Sequence, residues 1–289
     1  MNPPIVKYLT AKVHDLHVFY RESGPKDAPT ILLLHGFPTS SHMYRNLIPI
    51  LNKQYHVIAP DLIGFGFSDA PHYKQFHYTF DNLTKYIQGL IDQLGLKKFA
   101  VQVFDYGAPV GYRLAMANPE KITAIISQNG NAYEEGLSGG WSPMQKYWKE
   151  PTEENRNALK AFTTAETTQW QYTTGVPDKS LVAPESYTLD QFLLDRKDNV
   201  ELQLDLMKDY ASNVALYPRF HQYFKQHQPP FLAVWGDKDP FFLPPGAEAF
   251  KKDLPRAIVK FYDTGHFALE THVQEIGGEI LRFLQSVAR

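Results

Sequence analysis

The sequence predicts an α/β fold: a mostly parallel sheet with helices on both faces, interrupted by an inserted helical cap. Three observations carry this prediction. Strand-like and helix-like runs alternate through the first 130 residues, the pattern of a parallel sheet with crossover helices. From residue 131 to about 213 the strand-like runs stop and aromatic, helical stretches take over. After residue 229 the strand pattern resumes twice, ahead of a closing amphipathic helix.

Taken in order, residues 17–22 (HVFYRE) read as a strand, and 30–34 (TILLL) as a buried one that ends at the turn His35-Gly36-Phe37-Pro38. Residues 55–60 form the next strand. A helix follows over 79–94, with Leu83, Ile87, Leu90, Ile91 and Leu94 on one face and Gly95 as its stop. Residues 98–103 (KFAVQV) are a strand, followed by the turn FDYG, a helix through Ala117 and a strand over 122–127. In the changed region, residues 153–162 read as helix, among Trp141, Trp148, Trp170 and several tyrosines. Residues 230–236 (PFLAVWG) and 258–262 (IVKFY) are the last strands. The final helix, 269–287, places Leu269, Val273, Ile276, Ile280, Leu284 and Val287 at helical spacing. The expected division is therefore a core of residues 1–130 and 214–289 with a cap over 131–213. With no linker or repeat between them, the insertion reads as a lid on one domain.

Composition narrows the partners. The 29 Lys and Arg against 31 Asp and Glu leave a net charge of −2 without like-charge blocks, which argues against nucleic acid or an anionic membrane surface. There is no cysteine, so disulfides, thiolate nucleophiles and cysteine-bound metals are excluded. The segment MNPPIVKYLTAKV lacks the layout of a signal peptide, and no apolar run approaches membrane-spanning length; the expectation is a soluble cytoplasmic protein. Aromatic residues make up 14% of the chain and are dense between 131 and 225, which suits either packing or the wall of a pocket for a small apolar substrate.

The chemistry concentrates at three strand ends. In Val103-Phe104-Asp105-Tyr106-Gly107-Ala108 a buried strand gives way to a helix within a few residues, the geometry of an elbow that lifts one side chain above the sheet edge. Small residues at 107 and 108 let the helix pack close behind the turn. Asp105 is also a favoured helix cap, and alone the motif leaves both roles open. Two further segments favour the elbow. Trp235-Gly236-Asp237-Lys238-Asp239-Pro240 follows one late strand, and Asp263-Thr264-Gly265-His266-Phe267 follows the last. Parallel sheets bind ligands outside their carboxyl ends, so nucleophile, acid and histidine would meet there as Asp105, Asp239 and His266. The Gly-x-x-Asp spacing favours Asp239 over Asp237, which reads as a turn residue. The backbone N–H groups of Phe37 and Tyr106 would point at one spot as an oxyanion hole, and His35 reads as a structural turn histidine.

The segments HGFPTSS, DLIGFGFSD, FDYGAPVG, WGDKDPF and DTGHF together resemble the epoxide hydrolase and haloalkane dehalogenase branch of the α/β-hydrolase superfamily. The resemblance covers nearly the whole chain, and each motif is weak alone but five in register are specific. One departure is visible: that branch usually carries His before the nucleophile, and Phe104 stands here. The resemblance implies an α/β-hydrolase fold, an aspartate nucleophile that forms an alkyl-enzyme ester, and hydrolysis of that ester by water activated by His266. No metal or cofactor is implied, and oligomeric state is left open, with a homodimer among the options.

The leaving group separates the two activities of the branch. Dehalogenases resemble one another in offering N–H donors to halide from a Trp after the nucleophile and a second Trp or Asn, often after His-Gly; here Tyr106 and Phe37 hold those places. A fluoroacetate-type enzyme would need an arginine near the nucleophile, and Arg113 lies two helical turns downstream. Epoxide hydrolases use cap tyrosines as acids. Tyr217, in NVALYPR, resembles one of them, and Tyr147, in QKYWKEP, lies in the region of the second, displaced by about one helical turn so that Met144 falls in the expected slot. Epoxide hydrolysis therefore leads. Haloalkane or haloacid dehalogenation, with Trp141, Trp148 or Trp170 as halide donors, is the alternative, and a catalytically silent binding protein is a third reading.

Overall fold

The strands predicted from apolar runs pair into one sheet in the computed structural model, which describes residues 5–287. In chain order they are β1 (Lys7–Val13), β2 (Leu16–Ser23), β3 (Thr30–Leu34), β4 (His56–Pro60), β5 (Phe99–Phe104), β6 (Ile122–Gln128), β7 (Phe231–Gly236) and β8 (Ile258–Tyr262). Their spatial order is β1-β2-β4-β3-β5-β6-β7-β8. The β1–β2 and β2–β4 pairs are antiparallel and the rest are parallel. The central strands are apolar without alternation because both faces are covered. Ile31 and Leu33 enter one core with Leu232 and Val234, while Leu32 and Leu34 enter the other with Phe231 and Trp235, as the two-residue period of a strand requires.

The helices are α1 (Ile48–Leu51), α2 (Phe80–Gln93), α3 (Gly107–Ala117), α4 (Ser142–Lys149), α5 (Glu153–Ala158), α6 (Ala165–Thr173), α7 (Pro184–Leu194), α8 (Asn199–His227), α9 (Pro244–Ala249) and α10 (Ala268–Val287). α2 starts at Thr79, whose side chain accepts from Asn82 N–H, and stops at Gly95 with φ of 66°, as the cap and stop residues predict. Between β6 and β7 the described chain is helical, from α4 to α8.

Three elements differ from the sequence reading. β1 is not announced by KYLTAKV because only Ala11 and Val13 are buried; an edge strand needs little apolar surface, and its register comes from β2. The helix expected over 153–162 breaks after Ala158 into a 3₁₀ turn over Leu159–Thr163. α8 runs unbroken across the expected boundary at 213/214 and through Pro218. The missing backbone donor at Pro218 is outweighed by the buried face of Tyr210, Asn213, Tyr217, Phe220 and Phe224.

Candidate active site

Parallel pairing brings the carboxyl ends of β3, β5, β6, β7 and β8 to one edge, and the polar residues of the sequence motifs follow those ends. Asp105 comes directly after β5 with φ of 47°, a left-handed conformation that a non-glycine residue adopts at some energetic cost. A Cβ at Gly107 would collide with the Leu34 carbonyl, so only glycine lets α3 start this close behind the turn. The helix-cap reading of Asp105 does not hold: α3 has Tyr106 at its cap and no side-chain cap bond. Instead Asp105 Oδ1 accepts from Phe37 N–H at 2.6 Å, and the Tyr106 N–H also bonds the carboxylate.

Asp105 Oδ2 lies 3.9 Å from His266 Nε2, and His266 Nδ1 lies 2.7 Å from Asp239 Oδ2. Asp239 Oδ1 accepts from the N–H groups of Phe241 (2.7 Å) and Phe242 (3.1 Å). Asn129, which follows β6, donates its side-chain N–H to Asp239 Oδ2 at 2.7 Å and accepts from Gly236 N–H at 3.0 Å. It is one residue of the site, with Tyr210, that the sequence does not single out, although its place after a buried strand at this edge is a usable signal. Asp237 is exposed, in keeping with a turn residue. His35 Nε2 accepts from Leu62 N–H at 2.9 Å, and its Nδ1 lies 3.0 Å from Gly36 O, so it braces a turn. Phe104 stacks obliquely on the His266 ring at 4.6 Å between centroids and walls off its rear.

Burial sets the electrostatics. Loss of water raises the Asp105 pKa from 3.8 to about 6, against the lowering influence of His266 and of the two backbone donors. Burial alone would lower His266, but the charge and hydrogen bond of Asp239 outweigh it and leave the imidazole above its ordinary value.

Beside the Asp105 carboxylate is a cavity of about 20 Å³, walled by Phe37, Tyr106, Trp141, Met144, Phe162, Gln171 and Phe241. That is room for one water-sized group, so a larger ligand needs a wall side chain to move. A larger hollow of about 260 Å³, bounded in part by Gln228, Leu254 and Phe283, lies away from these carboxylates.

The tyrosines divide. Tyr217 is buried, bonds Tyr210 through their side chains and accepts from Asn131 Nδ2 at 3.2 Å. Tyr210 stands closer to the carboxylate: its ring is 5.8 Å from that of Tyr106, and the Asp105 charge helps burial to hold its phenol in the neutral form. Tyr147, like Tyr210 and Tyr217, is not among the residues that wall the cavity. Its hydroxyl accepts from Arg156 Nη1 at 3.3 Å, while Met144, one turn earlier on α4, is the residue that lines the space. The indole N–H groups of Trp141 and Trp148 donate to the carbonyls of Phe241 (3.1 Å) and Met207 (2.8 Å), and Trp170 is 45% exposed. Arg113 is held by Asp81 and Asn213.

A family model described as alpha/beta hydrolase fold matches residues 29–273. The chain belongs to the α/β-hydrolase fold family. An uncharacterized hydrolase of Saccharomyces cerevisiae is 46% identical over 97% of this chain and 98% of its own. A haloalkane dehalogenase of Psychrobacter cryohalolentis is 29% identical over 95% of this chain and 89% of its own. Among solved structures, haloalkane dehalogenase DbeA from Bradyrhizobium elkanii aligns with a TM-score of 0.78 at 22% identity, covering 98% of this chain and 99% of that one. An epoxide hydrolase from Vigna radiata aligns with a TM-score of 0.77 at 23% identity, covering 97% and 98%; at these identities the structural likeness is one of fold. The protein is thus an α/β-hydrolase with a haloalkane dehalogenase among its sequence relatives. No helix of its described residues is long and apolar enough to cross a membrane.

Proposed function

We propose that this hydrolase opens epoxides to vicinal diols through an ester on Asp105. The observation that carries the reading is the buried phenol of Tyr210, whose ring packs 5.8 Å from that of Tyr106 next to Asp105 and which couples to Tyr217, while the indole N–H groups of Trp141 and Trp148 are already committed. An opening epoxide needs an acid, which a neutral phenol supplies. A departing halide needs fixed N–H donors, and the cap tryptophans do not offer them.

In this mechanism Asp105 Oδ1, engaged by Phe37 N–H, is the less nucleophilic oxygen, and Oδ2 attacks the ring carbon. The ring C–O bond breaks and its oxygen takes a proton from the phenol pair, with Tyr217 as the ultimate donor through Tyr210 and Asn131 Nδ2 steadying the phenolate. In the ester, Oδ1 becomes the carbonyl oxygen. Water then attacks Cγ and gives a proton to His266 Nε2, while the N–H groups of Phe37 and Tyr106 hold the oxyanion. Collapse expels the former ester oxygen, which leaves as the second hydroxyl with the proton of the added OH. His266 returns its proton to the phenolate. Asp239 orients His266 and steadies its positive charge, as the 2.7 Å contact suits it to do. The cap of this reading is the helical stretch 131–213, extended by the rest of α8, which supplies Tyr217.

Dehalogenation is the second reading, favoured by the 29% identical dehalogenase of Psychrobacter cryohalolentis. The haloacid form of it has little support, because Arg113 faces Asp81 and Asn213. A turnover screen of aryl and alkyl epoxides beside bromoalkanes and haloacetates, scored for diol and for halide, tests the choice. Diol release is expected; halide release without diol would replace the epoxide reading.

A further inference from the structure

Gln171 occupies a position that ordinary packing does not explain. It lies on α6 with 2% of its surface exposed, and its Nε2 has no hydrogen-bond partner among the described residues. A buried amide N–H without an acceptor is costly and uncommon, and calls for a reason. Its surroundings supply one. Gln171 lines the same cavity as Asp105, and the neighbouring walls of Met144, Phe162 and Phe241 are apolar. Of the residues lining that cavity, only Trp141 and Gln171 carry a side-chain N–H, and the Trp141 indole is spent on the Phe241 carbonyl at 3.1 Å.

The helix that carries the amide is also packed against the catalytic loops. At the end of α6, the Thr174 carbonyl and the Gly175 Cα press against Gly265, next to His266, so closely that a Cβ at residue 265 would collide with the Thr174 oxygen. Tyr172, beside Gln171, stacks on Phe267 at 3.7 Å between centroids. A donor fixed on a helix that is itself clamped to the His266 loop is pre-organised for one acceptor position.

We propose that Gln171 donates its side-chain N–H to the ring oxygen of the epoxide as the carbon–oxygen bond breaks, so that it is a further catalytic residue of this hydrolase. This rests on the epoxide reading and deepens it. Asp105 Oδ2 forms the bond to carbon, the ring oxygen receives the electron pair of the breaking bond, and the phenol pair delivers the proton. Gln171 transfers nothing; it meets the charge developing on the oxygen. It thereby fills the role of the second donor, which Tyr147, bonded to Arg156, does not reach. The same N–H would suit a departing bromide, so the substrate panel distinguishes the two sources of charge.

The test compares His266→Gln with His266→Gln/Gln171→Leu, reading the rate at which the protein gains the mass of styrene oxide or the hexyl mass of 1-bromohexane on the Asp105 peptide. With styrene oxide, loss of one hydrogen bond to a charged acceptor should slow ester formation by roughly tenfold to a hundredfold. The Gln171→Leu change should leave the melting temperature equal or higher, because an unpaired amide has been replaced by an apolar side chain of similar size. An unchanged rate, or a rate loss accompanied by a lower melting temperature and restored by no amide at this position, overturns the proposal. If only the bromoalkane forms an ester, the epoxide reading fails and so does the assignment of Gln171 to a ring oxygen. If neither substrate reacts, binding decides through intrinsic tryptophan fluorescence. Cyclohexanone, a neutral oxygen acceptor, should then bind about tenfold more weakly to the Gln171→Leu protein while methylcyclohexane binds equally to both. Equal cyclohexanone binding would refute the donor.

Discussion

The strand-end loops and the helical stretch between β6 and β7 face the same cavity under different constraints. At the strand ends each polar group has a fixed partner: Asp105 on Phe37 N–H, His266 on Asp239, Asp239 on Asn129 and two backbone N–H groups. In the helical stretch the polar groups are mixed in their commitments. Tyr147 is spent on Arg156, Tyr217 is shared between Tyr210 and Asn131, and Gln171 Nε2 has no partner among the described residues. The difference teaches where chemistry and selectivity reside. Under the proposed mechanism, the sheet edge would run the covalent steps and the helices would decide which leaving atom they receive.

Substitutions at the sheet edge should therefore have the largest effects. Asp105→Ala should lower turnover on the order of 10⁴-fold or more, with circular dichroism showing an intact fold; a residual rate of a few per cent would mean that another residue attacks. Replacing His266 by Gln should stop hydrolysis but not alkylation, so that mass spectrometry finds the ester accumulating on the peptide containing Phe104-Asp105-Tyr106. An adduct on Ser68, Ser127 or a residue of the helical stretch would break the division between the two regions.

On the helical side, Tyr217→Phe should slow epoxide opening on the order of 10²-fold, the scale of one general acid, with little change for a bromoalkane. Equal losses on both substrates would reduce Tyr217 to a packing residue. Acidity gives an effect of about tenfold per pH unit: kcat/KM should fall below about pH 6 as the Asp105 carboxylate takes a proton, and the raised His266 works in the same direction. Because the folded Asp105 titrates near 6 rather than 3.8, the stability it contributes is present below the unfolded value and lost as pH rises through about 6. Asp105→Asn should accordingly raise the melting temperature at pH 7.5 and do so less at pH 5. The smallest effect belongs to Tyr147→Phe, expected within about twofold on either substrate because its phenol serves Arg156; a hundredfold loss would put it back among the donors.

The sheet and its edge were legible in the chain because strands announce themselves locally. TILLL, FAVQVF and FLAVWG are short apolar runs, parallel pairing sends their ends to one side, and a turn of a few residues leaves a polar side chain little choice of where to point. Asp105, Asp239 and His266 could thus be placed before any tertiary contact was known, and the family of the chain with them. The fate of side chains on the inserted helices was not legible in this way. A helical residue has a direction only relative to the helix's own axis, and what lies in that direction depends on how the helix is laid on the core. Packing carried α8 through Pro218 and turned Arg113 toward Asp81. It also left Gln171, unremarkable in the string ETTQWQYTT, buried at the cavity of Asp105 with an Nε2 that has no partner among the described residues. Only the tertiary structure could decide these, because burial and hydrogen-bond competition are settled between segments distant in sequence.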